Sequence, residues 1–134
     1  MLEKGRAMDI RNIATVPPTV EHNGTTPVWY LMPPGTMREI TDGGSLELVN
    51  EFEIIGGGAV DPHTHPTHEF YYVLYGHGNM IVGDESREIS QGDLVYIPPN
   101  VVHSLVASSE HAPIRCFCFA IACPDAGAIN YTTH

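Results

Sequence analysis

Glycine and proline set the length of every element this chain can build. Thirteen glycines and eleven prolines cut its 134 residues into short runs. No run keeps a helical apolar period beyond about two turns, whereas period-two alternation is common. In residues 45–55, Leu46, Leu48, Phe52 and Ile54 share one face, and Glu47, Glu51 and Glu53 share the other. Gly56, Gly57 and Gly58 end that run. Residues 28–32, 69–75, 94–97, 101–107 and 114–122 carry the same strand chemistry. Residues 79–82 and 87–89 flank a Gly83-Asp84-Glu85-Ser86 turn and predict a hairpin. Short strands at such spacing predict an all-β sandwich or barrel. The length fits one domain. Residues 1–27 read as an N-terminal arm, 28–123 as the barrel and 124–134 as a small, polar C-terminal tail.

Charge removes several functions. Sixteen acidic residues face six basic ones, a net charge of −10. Such a chain cannot neutralise a row of phosphates, so nucleic acid and anionic membrane surfaces are not expected partners. Residues 1–11 mix charges with no apolar stretch, so a cytoplasmic location is expected. Three cysteines, an odd number, predict reduced thiols. Cys116 and Cys118 lie in a strand-like run and read as small buried hydrophobes.

Eight histidines outnumber the lysines and arginines together. Three fall in the segment Asp61-Pro62-His63-Thr64-His65-Pro66-Thr67-His68-Glu69. Alternate residues of an extended chain share a face, so His63 and His65 can point at one interior site. Glu69 has the same parity, and a turn at Pro66 could bring it alongside. His103, from a later strand, could add a third imidazole. Three imidazoles and a carboxylate suit one Fe(II), Mn(II), Co(II), Ni(II) or Zn(II) ion, with positions left for substrate. His68 has the opposite parity and reads as a neighbour of the site with an acid–base role. His22, His77, His111 and His134 read as solvated.

These residues resemble the cupin superfamily. Gly57, His63, His65, Glu69 and Gly76 match its first motif in order and spacing, and Gly92, Pro98 and His103 match its second. Asn100 stands where the second motif has a glycine, and Ala107 where it has an asparagine. Asparagine tolerates left-handed backbone, and position 107 is not a ligand position. The resemblance implies an antiparallel, jelly-roll-like β-barrel with one divalent transition metal per chain. It also implies a homodimer, with the N-terminal arm suited to the interface. The superfamily spans dioxygenases, lyases, isomerases, cyclases and binding domains. The reading favoured here is an Fe(II)-type dioxygenase acting on a small organic molecule. A non-redox lyase, isomerase or polyketide-type cyclase, or a non-catalytic binding domain, are the alternatives.

Around the ligands, Tyr71 shares the parity of Glu69 and is the candidate acid or base, together with His68. Asn50 is a polar residue on an apolar face and a candidate substrate contact. Arg38 could hold a substrate carboxylate or pair with a nearby glutamate. Trp29, Tyr30, Phe117 and Phe119 would make the cavity aromatic if they face inward.

Overall fold

Period-two runs without long helices can bury their apolar faces only against one another, and here they do so as two facing antiparallel sheets. The computed structural model describes residues 9, 11–36, 38, 43–124 and 132–133. The six-stranded sheet runs β1 (Thr19–Glu21), β2 (Thr26–Met32), β3 (Leu46–Ile54), β10 (Ile114–Ala122), β5 (Thr67–Tyr75), β8 (Leu94–Ile97). The five-stranded sheet runs β11 (Thr132–Thr133), β4 (Ala59–Thr64), β9 (His103–Ala107), β6 (His77–Val82), β7 (Glu85–Ser90). The fold is the expected all-β, cupin-type barrel.

Strand β10 carries the core through the centre of the larger sheet. Ile114, Cys116, Cys118, Ala120 and Ala122 are buried, while Arg115, Phe117, Phe119 and Ile121 alternate onto the outer face. The expected aromatic lining is therefore corrected for three residues. Phe117 and Phe119 must point away from the core because their neighbours Cys116 and Cys118 point into it. Phe119 stacks on Phe70 outside the barrel, with ring centroids 4.7 Å apart. Trp29 lies under the Arg115 guanidinium at 4.0 Å. The interior is closed by Ile54, Val73, Ile97, Leu105 and Ile114, all fully buried. Each such side chain contributes roughly 1.5–3 kcal/mol of apolar burial.

Within residues 1–27, Thr19–Glu21 pairs with β2 of the same chain, and Thr26 is fully buried. That part of the arm is a continuation of the sheet, too short to show an alternating pattern in sequence. Strand β4 also escaped the sequence reading, because Pro62 and three polar residues interrupt its apolar pattern. Two turns need left-handed backbone. Gly76 has φ +88°, and a Cβ there would run into the Pro113 carbonyl oxygen. Asn100 has φ +62°, as its side-chain chemistry allows, and its N–H bonds the His65 carbonyl at 3.0 Å.

Candidate metal centre

Four elements deliver four ligand side chains to one point. His63 is the penultimate residue of β4, and its Cα partner across the smaller sheet is His103, the first residue of β9. His65 sits in the two-residue link between β4 and β5, and Glu69 lies on β5 in the opposite sheet. The link crosses from one sheet to the other, so residues close in sequence face each other across the barrel. Ligand atoms of His63, His65, Glu69 and His103 all lie within 4.8 Å of one another. His65, Glu69 and His103 are buried.

Hydrogen bonds orient these rings. Nδ1 of His63 faces the Asp61 carbonyl at 2.7 Å, and Nδ1 of His103 faces the Val101 carbonyl at 3.0 Å. A carbonyl only accepts, so each Nδ1 carries the proton and each Nε2 presents a lone pair. Nδ1 of His65 meets the Thr67 hydroxyl, itself fully buried. Nε2 of His65 and of His103 lie 3.1 and 3.3 Å from the same Glu69 oxygen. Buried His103 Nε2 has no hydrogen-bond partner. A cation between them would relieve the His103 lone pair that faces this carboxylate oxygen. Neighbouring ligands of an octahedral ion with bonds of ~2.1 Å stand about 3 Å apart. The four residues therefore fit one divalent transition metal.

The electrostatics agree. Burial, with the neighbouring His103, brings the His63 pKa down to about 4. That imidazole is thus neutral and ready to ligate at pH 7. Burial pushes the Glu69 carboxyl upward, but the imidazoles of His103 and His65 beside it outweigh that and hold it below the usual carboxylate range. Cys118 donates its S–H to the second Glu69 oxygen at 3.6 Å. Burial, then the same carboxylate, pushes the Cys118 thiol up, so it stays protonated. Burial alone takes Cys116 to about 12.

The site opens into a cavity of about 330 Å³ lined by Val28, Tyr30, Leu48, Phe52, Val60, Tyr71 and Asn50, among others. Tyr71 is buried, edge-on to Phe52 at 4.9 Å, with its ring 6.4 Å from that of His103. Burial, then the Glu69 carboxylate, pushes its phenol well above the ordinary value, so it faces the cavity as O–H. Asn50 is 5% exposed, and its side-chain oxygen has no hydrogen-bond partner. Among the described lining residues there is neither lysine nor arginine. A larger groove of about 750 Å³ opens between β7 and β8, but no group of metal-ligating side chains lies there among the described residues.

Two expected site residues lie elsewhere. His68 is corrected: one residue before Glu69, it faces the opposite side of β5. There it stacks on Tyr96 and bonds its hydroxyl at 2.7 Å. Arg38 is corrected as well: it pairs with buried Glu47 at 2.9 Å and does not line the cavity. His22 departs from its solvated reading. It lines the cavity, with its ring 5.4 Å from that of His63. His77 and His111 are exposed, and His134 lies outside the described residues. Strand parity on β10 would have found Cys118, which pairs with both Asn50 and Tyr71. Nothing in the sequence signals His22, which arrives through a left-handed turn from a distant hairpin.

The fold and the site define a small antiparallel barrel in which three imidazoles and a carboxylate converge as a set that could hold a metal ion. Residues 50–120, more than half of the chain, match the family model described as a cupin domain, and the chain belongs to that family. A curated relative, an uncharacterised protein of Methanocaldococcus jannaschii, is 37% identical over 57 residues, 42% of this chain and 45% of its own length. The chain thus spans less than half of that relative. A gentisate 1,2-dioxygenase of Haloferax is 42% identical over 43 residues, 32% of this chain and 12% of its own. Among solved structures, a predicted oxalate decarboxylase from Thermotoga maritima superposes with a TM-score of 0.74 at 18% identity. That match covers 86% of this chain and all of the other. The polyketide cyclase RemF from Streptomyces resistomycificus gives 0.70 at 20% identity, covering 95% of this chain and 87% of its own. At these identities the structural likeness establishes the fold.

Proposed function

We propose that the chain is a metal-dependent enzyme acting on a small, uncharged organic molecule, read best as an Fe(II)-type dioxygenase. The observation that carries this reading is the cavity: a three-histidine, one-carboxylate set opens into a largely aromatic and aliphatic space with neither lysine nor arginine among the described lining. His63, His65, Glu69 and His103 hold the ion. Fe(II) is the favoured metal, with Mn, Co, Ni and Zn also suited to the donor set. When bound, the metal supplies Lewis acidity and, if iron, one-electron chemistry.

The chain's own groups do the rest. Phe52, Tyr30 and Val60 exclude water and pack a flat ring. Asn50, with an unsatisfied buried oxygen, accepts a hydrogen bond from a substrate hydroxyl, since leaving that oxygen unpaired costs about 1–3 kcal/mol. A carboxylated substrate would find no guanidinium here. That favours a phenol or enol over an organic acid.

A second reading, a non-redox lyase, isomerase or polyketide-type cyclase, is favoured by Tyr71. Its phenol faces the cavity beside Glu69 and can donate a proton to a developing oxyanion. The test is elemental analysis of fresh protein, followed by turnover of a panel of hydroxylated aromatics with and without oxygen. Oxygen-dependent turnover by iron-loaded protein supports the dioxygenase, and equal anaerobic turnover favours the second reading. Protein that takes up none of these metals overturns both.

We further propose a homodimer. The outer face of the six-stranded sheet supports it, with Tyr72, Leu94 and Tyr96 exposed around the Phe70–Phe119 stack.

A further inference from the structure

The turn between β1 and β2 places His22 against the metal cavity, and a backbone contact fixes the tautomer of its ring. The backbone N–H of Asp61 donates to His22 Nδ1 at 3.0 Å. A backbone N–H only donates, so Nδ1 is the lone-pair nitrogen and the ring proton sits on Nε2. Among the described residues, Nε2 has no hydrogen-bond partner. The side chain is 12% exposed and lines the cavity. The turn is built to hold it there. His22 has φ +51° and Asn23 φ +59°. The Asn23 amide donates to the Asp61 carboxylate at 3.1 Å, and the Thr25 hydroxyl reaches the His22 and Ala59 carbonyls at 2.9 and 3.0 Å. A left-handed histidine kept by this many contacts is a positioned group rather than a solvated one.

We propose that His22 is a specificity-determining residue, whose fixed Nε2–H donates a hydrogen bond to an oxygen of the molecule bound in the metal cavity. This rests on the metal-enzyme reading above and adds a demand on the substrate. His22 supplies a donor, and Asn50 supplies an unpaired acceptor. One hydroxyl can satisfy either, and two on a ring can satisfy both. Glu21 stands next to His22 and takes the Tyr30 hydroxyl at 3.0 Å, so the lining near the donor also carries negative charge. A carboxylate approaching His22 would meet that charge, whereas a neutral hydroxyl would not.

The test uses zinc-loaded protein, which is redox-silent, with catechol as the probe and titration calorimetry as the readout. His22→Asn keeps a left-handed-tolerant residue and an acceptor near the Nδ1 position, but its amide falls short of the cavity. His22→Gln reaches the Nε2 position with an N–H. The expected result is unchanged zinc content in both, catechol binding about tenfold weaker in His22→Asn, and within about threefold of wild type in His22→Gln. Wild-type affinity in His22→Asn, or a His22→Gln as weak as His22→Asn, overturns the role. Zinc-loaded wild type that does not bind catechol overturns it too and leaves the metal reading standing. Failure of the wild type to take up zinc or iron brings down the metal reading itself.

Discussion

Nε2 of His103 stands 3.3 Å from Oε1 of Glu69, with no hydrogen to share, because the ring proton is on Nδ1 and held by the Val101 carbonyl. That buried confrontation of lone pair and carboxylate is unfavourable until a cation enters. Under the proposed metal reading, metal binding and folding are linked. His103→Ala and His65→Ala should each lose most of the metal by elemental analysis. Stripping wild type with a chelator should lower Tm, while the same treatment should leave both variants nearly unchanged. Full occupancy in both variants would falsify the assignment.

Metal-free protein should also lose stability in acid. The folded His63 imidazole titrates at about 4, against 6.5 in the unfolded chain. Between those values the unfolded state binds the extra proton, so stability falls as pH drops through this window. Burial lowers His22 in the same sense. Glu69, held below its ordinary 4.5, keeps its charge when folded and adds a further loss below that pH. Tm of chelated protein should be flat above about pH 7 and decline from about 6.5 downward, and His63→Gln should flatten the upper part of the decline. A chelated wild type with equal Tm at about pH 7 and pH 5 contradicts the burial of these rings.

Tyr71→Phe separates the two reaction classes. The ring packs edge-on against Phe52 and stays in place without its hydroxyl, so fold and metal content should survive. If the reaction turns on proton transfer, kcat should fall by ~10²–10⁴. If it is an oxygenation, the fall should stay within about tenfold. Unchanged turnover removes Tyr71 from the chemistry.

How much of this was legible in sequence depends on the range of each contact. His63, His65 and Glu69 could be read from their spacing, because the link that carries His65 is only two residues long and so holds β4 and β5 to one site. Asn50 was found by strand parity, because a strand points every second residue one way. His68 was assigned against its parity, and the structure leaves it outside. Arg38 was ambiguous because its partner Glu47 lies on the outward-facing register of β3 yet is buried, a packing fact with no local signature. His22 was invisible, since its place depends on the β1–β2 turn meeting β4.

The Arg38–Glu47 pair gives a stability prediction independent of the site. Glu47 is 4% exposed, and Arg38→Ala would leave its carboxylate buried beside no guanidinium. A buried charged group stripped of its partner should cost about 2 kcal/mol, read as a lower urea midpoint. Metal content and turnover should not change, because Arg38 does not line the cavity. Loss of substrate affinity at unchanged stability would restore Arg38 as a substrate contact.

The proposed homodimer has its own test on the opposite side of the larger sheet. Tyr72 and Leu94 are register partners on β5 and β8, and so are Phe70 and Tyr96, so the four side chains share the outer face. Tyr72 is 43% exposed, Leu94 61% and Tyr96 47%. Phe117 and Phe119 of β10 continue this apolar band by pairing with Tyr72 and Phe70. At a net charge of −10, two copies repel unless an uncharged face brings them together, and this band carries no ionised group of its own. Placing a carboxylate in the band should reverse the balance, since a two-fold interface meets each substitution twice. Tyr72→Glu with Leu94→Glu should shift wild-type dimer to monomer in light scattering at micromolar concentration. Metal content should stay the same, because both side chains point away from the cavity. A double variant that keeps the dimer mass moves the interface elsewhere, and a wild type that runs as a monomer ends the proposal.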